Sequence, residues 1–514
     1  MKRIVVLLIF LCLSSLAKGQ DGLLPITYNS LALQFNSRGF NGDAQAAVIP
    51  SIASYNGFGG VFDNPASASL AKNSEFSFGT IYNNTEQDNA YLGNTINSSA
   101  GLLRPANIGI VYKAPTTRGS FVLGGGYNRT LQENRNNAFQ GFNTNSSITD
   151  TYKFGDNDFF DPAFNAFATE DLELTDGSII RESIFRLFDD LGSDFMGITQ
   201  DATRSQITAV NNYNAFIATE FQRGFHLGIS LGVLDGNSEY DQLFSEIDAN
   251  NAYAGDFIAI EGSATGTDID RIAARELLNS DFVAFSANFG VIVEALPFLN
   301  LGVSYTLPSY YLVEERYSAE VVTQFDDPSV FPAEGFLGSE FEYGIRQPGI
   351  LSFGGSLINM DNVSISASAE LIDYTTTEFD LTRENNLDAL DESTLRNDEL
   401  VLEQFVQDNY NQVVNLRLGG EYKLSDYVQL RAGYAFFPAR TKEFDSDRTQ
   451  LSFGFGTMVG EGIALDVAAQ YSFWDDRSVI YRFDDPFVSS TPVSAEVSEE
   501  IRALNVLATL KFFF

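Results

Sequence analysis

The sequence predicts an all-β protein, a transmembrane antiparallel β-barrel of about 14 strands with an N-terminal hatch (plug) in its lumen. In the last strand, one face is polar and carries Asn505, Thr509 and Lys511. The other face is apolar and consists of Leu504, Val506, Ala508, Leu510, Phe512 and Phe514. A lipid-facing row must be apolar, whereas a lumen-facing row can be polar. An edge strand of a soluble sandwich is the alternative, but the same pattern recurs through the chain.

The N-terminus predicts a secretory signal peptide over residues 1–19. Lys2 and Arg3 precede the apolar run Ile4–Leu13, and small residues follow at the expected cleavage site. The run is too short for a membrane helix, and no later stretch reaches the roughly eighteen apolar residues that one needs. The only cysteine, Cys12, lies in this segment, so the mature chain has no disulfide or thiolate chemistry.

The amino-acid composition indicates which classes of partner the protein can bind. The chain has 31 basic and 68 acidic residues, which gives a net charge of −37. Such a surface repels phosphate backbones, so nucleic acid is excluded as a partner. We interpret the acids mainly as solvated residues of extracellular loops. The 45 Phe and 22 Tyr suit a wall whose outer face contacts outer-membrane lipid.

Strands that are joined alternately by short turns and long loops can be placed along residues 74–514, the predicted barrel domain. The clearest hairpins are Asn411–Leu424 with Val428–Phe437, and Gln450–Val459 with Ile463–Tyr481. Short turns on one side and long loops on the other are typical of outer-membrane barrels, with the short turns in the periplasm. The predicted extracellular loops are 132–205, 241–280 and 378–410.

Charged residues in these strands predict an ion-pair ladder inside the barrel. Arg417, Glu421 and Arg431 alternate with apolar residues and should therefore point into the lumen. Pairing between them would brace the wall; a substrate site is the alternative. The single tryptophan, Trp474, is interpreted as an anchor at the membrane interface.

The region before the first strand predicts the plug. Residues 20–73 fit no strand pair and are rich in small residues, with apolar side chains such as Phe40, Phe58 and Phe62. A barrel of about 14 strands is wider than the eight-strand size that side chains alone can fill. We therefore expect residues 20–73 to occupy the lumen.

Several of these segments resemble one family of outer-membrane proteins. Asn64-Pro65-Ala66, just before the first strand, resembles the hatch motif of the FadL/OmpP1/TodX transporters, although Ser67 stands where that family commonly has Gly. Asn415–Pro438 is similar to a late hairpin of the family. Leu299–Pro308 and Pro348–Ser356 are similar to its middle strands.

The resemblance implies a function and a route. The implied protein is a 14-stranded barrel, closed by an N-terminal hatch, that moves long-chain fatty acids or similar apolar compounds across the outer membrane. The implied ligand first meets an apolar groove in the extracellular loops, then a pocket beside the hatch. It leaves sideways through a kinked third strand into the membrane.

The third predicted strand contains a run of glycines, Gly124-Gly125-Gly126. Glycine inside a wall strand permits a bulge or a close approach of another backbone. The functional interpretation is a lateral gate. The alternative is that the glycines make room for a bulky neighbour or for hatch backbone.

A groove is expected in the longest loop, where residues 179–191 have apolar residues at helical spacing. The predicted ligand-contacting residues of this amphipathic helix are Ile180, Ile184, Leu187 and Phe188. Arg181 and Arg186 flank them and could receive a carboxylate by bidentate pairing. Packing of the helix on the barrel rim is the alternative.

No enzyme activity, cofactor or metal site is predicted. The only histidine, His226, follows a tight turn and should lie near the periplasmic edge, away from any rim site. A single His without Cys leaves few ligands for a transition metal. A non-specific porin is disfavoured because the hatch would block it.

The remaining alternative is an accessory subunit of an outer-membrane secretion or assembly complex, with the enlarged loops as docking surfaces. The partners expected from sequence are thus an apolar small molecule, outer-membrane lipid, and the barrel-assembly machinery that inserts the chain.

Overall fold

The computed structural model describes most of the chain. The described residues are 40–155, 157–173, 177–187, 195–253, 267–327, 330, 332–383, 391–442, 444–485, 489 and 491–514. The predicted signal peptide (1–19), residues 20–39 of the predicted hatch, and Phe188 lie outside them.

The described strands form one large antiparallel sheet of seventeen strands and a separate hairpin, β4 with β5. The sheet strands are β1 (Glu75–Tyr91), β2 (Asn94–Ala114), β3 (Phe121–Asn143), β6 (Ile198–Gln222), β7 (Phe225–Ile247), β8 (Ile269–Leu296), β9 (Leu299–Thr306), β10 (Ser309–Phe325), β11 (Ala333–Gln347), β12 (Ile350–Met360), β13 (Val363–Asp373), β14 (Glu378–Asp380), β15 (Gln412–Ser425), β16 (Val428–Phe437), β17 (Arg448–Gly460), β18 (Ile463–Phe483) and β19 (Val493–Phe513). The hairpin strands are β4 (Thr169–Glu173) and β5 (Ile179–Ser183).

The large sheet closes on itself. Because β9 continues into β10, β11 into β12 and β13 into β14, the wall makes 14 passes. β1 pairs with β19 from Glu75 to Ala90, and this seam joins the first strand to the last. The predicted all-β barrel of about 14 strands is confirmed.

Side chains alternate across the wall as predicted. In β19, Leu504 and Val506 are each 37% exposed on the outer face, while Thr509 and Lys511 are 0% and 2% exposed on the inner face. The outer face is therefore suited to lipid and the inner face to a polar interior.

Helical segments are few among the described residues. The α-helices are α1 (Ala44–Val48), α2 (Phe160–Asn165) and α3 (Glu392–Asn409). The 3₁₀ turns are Phe58–Phe62, Pro65–Leu70, Ile148–Asp150, Ile184–Arg186 and Tyr374–Thr376. No helix in the described part of the chain has the length and apolar character needed to span a membrane.

The predicted loop bounds were too wide. Strand β3 continues to Asn143, and β6 begins at Ile198. Strand β7 continues to Ile247, and β8 begins at Ile269. The predicted loops 132–205 and 241–280 therefore contain strand at both ends. Their outer faces are mostly polar, with exceptions such as Phe142 and Leu243, so the apolar alternation that marks lipid-facing residues is lost although the backbone pairing continues. Likewise, the predicted loop 378–410 contains β14 and helix α3.

The predicted amphipathic helix at 179–191 was wrong. Residues Ile179–Ser183 form β5, which pairs with β4, and a 3₁₀ turn follows at Ile184–Arg186. The side chain of Ser183 caps this turn by accepting from the backbone N–H of Phe185 at 3.3 Å. Two β-branched isoleucines at the start favour a strand, and pairing with β4, which lies 6 to 14 residues earlier, decides between strand and helix.

Candidate functional site

The segment of residues 40–73 lies against inward-facing residues of the wall, and Asn64 is its best-connected residue. The Asn64 Nδ2 donates to the backbone carbonyls of Ile52 at 2.7 Å, Val291 at 3.3 Å and Val303 at 3.4 Å. Its Oδ1 accepts from the Ala66 backbone N–H at 3.0 Å. One side chain thus caps the 3₁₀ turn that Pro65 begins and ties it to β8 and β9.

Glycines in the wall make room for this turn. A Cβ built on Gly290 would lie 1.8 Å from the Asn64 Oδ1, and one on Gly228 would lie 2.2 Å from the Ala66 backbone nitrogen. The predicted Asn64-Pro65-Ala66 motif is therefore in direct contact with the inner faces of β7 and β8. The two wall glycines could not have been matched to it from the sequence, because they are more than 160 residues away.

Buried ion pairs attach the segment on the opposite side. The Arg417 guanidinium lies 3.0 Å from Asp63 and donates to the Ala46 carbonyl at 3.1 Å. The Lys511 ammonium lies 3.5 Å from Asp43 and 3.0 Å from Asp466. Both cations belong to the wall, and both reach into residues 40–73.

The three residues of the predicted charge ladder therefore do not all pair with one another. Arg431 lies 2.8 Å from Glu421, its direct neighbour across β15 and β16, and 2.5 Å from Asp466 on β18. This pairing is the wall brace expected from the sequence. Arg417 instead binds the N-terminal segment, a contact that strand periodicity alone cannot reveal.

A cavity of about 110 Å³ lies between this segment and the wall. Its lining combines apolar side chains with a ring of small polar ones: Phe40, Val61, Phe62, Leu234, Leu307, Tyr311 and Ile350, together with Asn41, Asn128, Thr130, Asn212, Ser230, Ser286 and Asn288. Buried atoms of Asn128, Asn212 and Asn288 have no hydrogen-bond partner. The cavity can therefore hold a small molecule with both apolar and polar contacts.

The predicted gate glycines lie in a regularly paired part of β3. A Cβ on Gly124 would lie 2.2 Å from the Ile110 carbonyl oxygen, and one on Gly126 would lie 2.2 Å from that of Ile108. On the other side, a Cβ on Gly125 would lie 2.5 Å from the Asn214 carbonyl oxygen. The glycines thus allow a close approach of β2 and β6 to β3.

Pairing between β2 and β3 stops just beyond these glycines. The ladder covers only Asn107–Ala114 with Asn128–Phe121. Beyond it, residues 94–106 of β2 remain paired with β1, and residues 129–143 of β3 remain paired with β6. Pro105 has no backbone N–H to offer, and the β1–β2 register shifts at this level.

Side chains bridge the place where the ladder is absent. The Asn136 amide donates to the Ser99 carbonyl at 3.4 Å, and the Asn94 amide donates to the Gln140 carbonyl at 3.0 Å. Asn128, the last β3 residue of the ladder, and Thr130, just beyond it, also line the cavity. The wall is therefore interrupted next to the cavity.

The predicted residues of the loop groove do not form one stripe. Ile180 is 40% exposed, Ile184 is buried at 2%, and Leu187 is packed against the apolar cluster of the loops. Phe188 lies outside the described residues.

Both arginines of this loop have carboxylate partners. The Arg181 Nε donates to Asp171 at 2.9 Å, and this hydrogen bond lowers the pKa of Asp171. Arg186 donates to both oxygens of Asp150, at 2.5 and 2.6 Å. In this structure the two guanidinium groups hold the loop together.

Trp474 does not lie at the membrane interface as the sequence predicted. At this level of β18, Tyr471 and Phe473 are exposed on the outer face, so Trp474 points into the lumen. Its ring lies 5.5 Å from the Arg448 guanidinium. The prediction of an interface anchor was wrong because the face of a residue is set by strand parity, not by residue type.

His226 lies beside the short turn that joins β6 and β7, as expected, and its Nδ1 is 2.8 Å from the Ser69 Oγ. This histidine packs the end of the N-terminal segment. Within the described ranges, no group of three or more His, Cys, Asp or Glu residues is arranged to hold a metal ion.

Fold and interior together define an outer-membrane β-barrel whose own N-terminal residues contact the inner wall. The chain matches the outer membrane protein transport protein family (OMPP1/FadL/TodX) over residues 183–512, which is more than half of its length. It therefore belongs to this family of outer-membrane transporters of hydrophobic compounds.

Solved structures agree with the fold. The toluene transporter TodX of Pseudomonas putida is 12% identical, with a TM-score of 0.52, over 92% of this chain and 98% of TodX. The toluene transporter TbuX of Ralstonia pickettii is 14% identical, with a TM-score of 0.51, over 93% of this chain and 100% of TbuX. No curated protein matched the sequence.

Proposed function

We propose that this protein takes up long-chain fatty acids or similar apolar compounds, with residues 20–73 acting as a hatch and the β2–β3 opening as the lateral exit. The observation that carries the proposal is the end of the β2–β3 ladder at Asn107 and Asn128, beside the lumenal cavity. Gly124–Gly126 hold β2 and β3 together immediately on the short-turn side of this opening.

Release into the membrane agrees with the energetics of an apolar ligand. A ligand gains about 0.8 kcal/mol for each methylene that leaves water, so release into the aqueous periplasm would cost this amount again. Exit between β2 and β3 avoids that cost because the outer face of the wall contacts lipid. Tyr127 and Tyr213, whose rings are 5.4 Å apart, lie on the outer face near the level where pairing stops.

The contacts of residues 40–73 support a hatch with a fixed part. Asn64-Pro65-Ala66 is tied to β8 and β9, and Asp43 and Asp63 form buried ion pairs with the wall. Passage along the lumen therefore requires a local shift near the cavity, where Phe40 and Phe62 line the space, rather than removal of the whole segment.

The ligand-binding groove in the loop around residues 179–191 remains a prediction. Ile180 is exposed beside Ile179 on β5, while Ile184 is buried and is available to a ligand only if the loop opens. Arg181 and Arg186 could receive a carboxylate only by exchange with Asp171 or Asp150.

A disulfide across the opening tests the proposed exit. The mature chain is free of cysteine, so Ser99→Cys with Asn136→Cys introduces one pair across the gap. In cells that lack other fatty-acid transporters, we expect uptake of a radiolabelled C18 fatty acid to stop when the disulfide forms and to return on reduction.

The matched control places the cysteines where β2 and β3 are already paired. Tyr112→Cys with Leu123→Cys joins ladder partners on the outer face and should leave uptake unchanged in both redox states. Full uptake through the oxidised Ser99–Asn136 variant would rule out this exit.

A further inference from the structure

The guanidinium of Arg448, on the lumenal side of β17, has no carboxylate partner among the described residues. The Arg448 Nε is buried without a hydrogen-bond partner, and an Nη lies 3.5 Å from the Gln450 Oε1. The rings of Phe437 and Trp474 lie 5.3 and 5.5 Å from the guanidinium carbon. The rings stabilise the cation but leave its N–H groups without strong acceptors.

Arg204 of the lumen donates to the Gln242 Oε1 at 3.0 and 2.8 Å, and three other lumenal arginines have carboxylate acceptors. Arg135 lies 2.5 Å from Glu499, Arg417 lies 3.0 Å from Asp63, and Arg431 lies 2.5 Å from Asp466. Burying a charge is costly unless it is paired and hydrogen-bonded. A partner that arrives with the ligand would account for the difference at Arg448.

Arg448 borders a small chamber of about 30 Å³, which suits a head group but not an acyl chain. Its apolar lining includes Leu131, Trp474 and Phe40. Phe40 also lines the larger cavity of about 110 Å³, so the two spaces meet at this ring. An acyl chain could extend from Arg448 past Phe40 into the larger cavity.

Two more charged residues, Glu133 and Arg135, line the small chamber. Their charged groups lie 3.8 Å apart, so the negative charge of Glu133 is opposed by Arg135. Glu133 belongs to the part of β3 that is unpaired with β2, which places the chamber next to the proposed exit.

We propose that Arg448 binds the anionic head group of an amphipathic ligand, specifically a carboxylate, and so makes the protein select acids over neutral apolar compounds. This inference rests on the proposed transport function. Its chemistry is that of a charge-assisted hydrogen bond in a site shielded from water.

The chain carries its own reporter for this site. Trp474 is the only tryptophan in the sequence, and it lies against Arg448. Bromine atoms on an acyl chain quench tryptophan fluorescence at short range. The probes are a dibrominated C18 fatty acid and its methyl ester, titrated against the purified full-length barrel in maltoside micelles.

We expect the acid to quench Trp474 at about 10- to 100-fold lower concentration than the ester, as for a hydrogen bond to a charged group. Arg448→Gln should weaken binding of the acid to the level of the ester and leave the ester unchanged. Arg448→Lys should retain most of the preference. The control Arg502→Gln removes an outward-facing charge of β19 and should behave as the unchanged protein.

The possible outcomes distinguish the proposed role of Arg448 from the proposed transport function. If acid and ester bind equally, or if Arg448→Gln binds the acid as tightly as the unchanged protein, the role of Arg448 is wrong but transport is unaffected. If neither probe quenches Trp474, the site is also wrong, and the uptake assay with the Ser99–Asn136 disulfide decides transport independently. Heat-modifiable migration on a gel verifies that each variant is folded.

Discussion

Two seams of the wall differ although only two strands, β1 and β2, separate them. Between β1 and β19, pairing runs from Glu75 to Ala90 without a shift of register. Between β2 and β3 it covers only Asn107–Ala114, and side chains bridge the remainder. The strands of the interrupted seam have 21 and 23 residues and those of the continuous seam 17 and 21, so short strands do not cause the interruption. Pro105 and the local register shift coincide with the point where pairing ends.

The two seams also differ in how they contact the N-terminal segment and the cavity. Lys511, on the β19 side of the continuous seam, forms ion pairs with the N-terminal segment and with β18. The discontinuous seam holds this segment by a neutral hydrogen bond, from the Asn107 amide to the Gly42 carbonyl at 2.6 Å, and adjoins the cavity. The continuous seam therefore supplies a buried ion pair to the segment, which β8 and β9 also hold, while the discontinuous seam has a break in the wall beside the cavity.

Loss of the ion pair between Lys511 and Asp43 should have the largest effect on the N-terminal segment. Lys511→Met leaves the buried carboxylate of Asp43 without its cation, because both side chains are almost fully buried. Removing one partner of a buried pair costs about 3–5 kcal/mol. We expect residues 40–73 to become cleavable by protease added to the purified barrel.

The control for this change lies on the same strand. Arg502→Met removes an ion pair with Asp88 whose side chains are 41% and 28% exposed, and such pairs contribute about 0–1 kcal/mol. Equal cleavage of the two variants would contradict the anchoring role of Lys511.

The paired part of the β2–β3 seam should be sensitive to a single methyl group. Gly124→Ala would place a Cβ 2.2 Å from a backbone oxygen, so the strands must separate, at a cost of about 1–3 kcal/mol. Gly420→Ala, whose nearest contact is 3.4 Å, is the matched control. The measurement is the temperature at which the folded band disappears on a gel. Identical temperatures would mean that the seam adapts to the added methyl group.

Hydrogen exchange should distinguish the seams without any substitution. Backbone amides that face the gap in residues 129–143 lack a ladder partner on β2, so they should exchange faster than those of Glu75–Ala90. Mass spectrometry of peptides from the barrel in lipid nanodiscs measures this. Equal protection would indicate that β2 and β3 are paired along their full length in the membrane.

The smallest expected effect concerns pH and the β4–β5 hairpin outside the membrane. The Arg181 hydrogen bond lowers the pKa of Asp171 from 3.8, so the pair stabilises the hairpin above that pH. The contribution is lost as pH falls through the lowered pKa, since protonation removes the charge. Pepsin should therefore cut the hairpin faster at pH 2 than at pH 4. In Asp171→Asn this extra acceleration should be absent, and its persistence would exclude the pair as its cause.

Some strand bounds followed directly from the sequence. Val428–Phe437 was predicted at the residues where β16 lies, and the other late hairpin strands differ by one or two residues. Period-two alternation is a local property of a strand between lipid and a polar lumen, so neighbouring residues suffice to reveal it. The polar extensions of β3, β6, β7 and β8 lack this signal and were missed.

The sequence by itself determined the class of fold, the family resemblance and the inward face of Arg417, Glu421 and Arg431. Only the tertiary structure decided that Arg417 binds Asp63, that β2 and β3 separate, and that residues 179–183 form a strand. It also placed Trp474 against Arg448 inside the lumen. Most of these facts depend on partners tens to hundreds of residues away that the closed barrel brings together, whereas β5 pairs with β4 only 6 to 14 residues earlier. Local periodicity carries no information about such contacts.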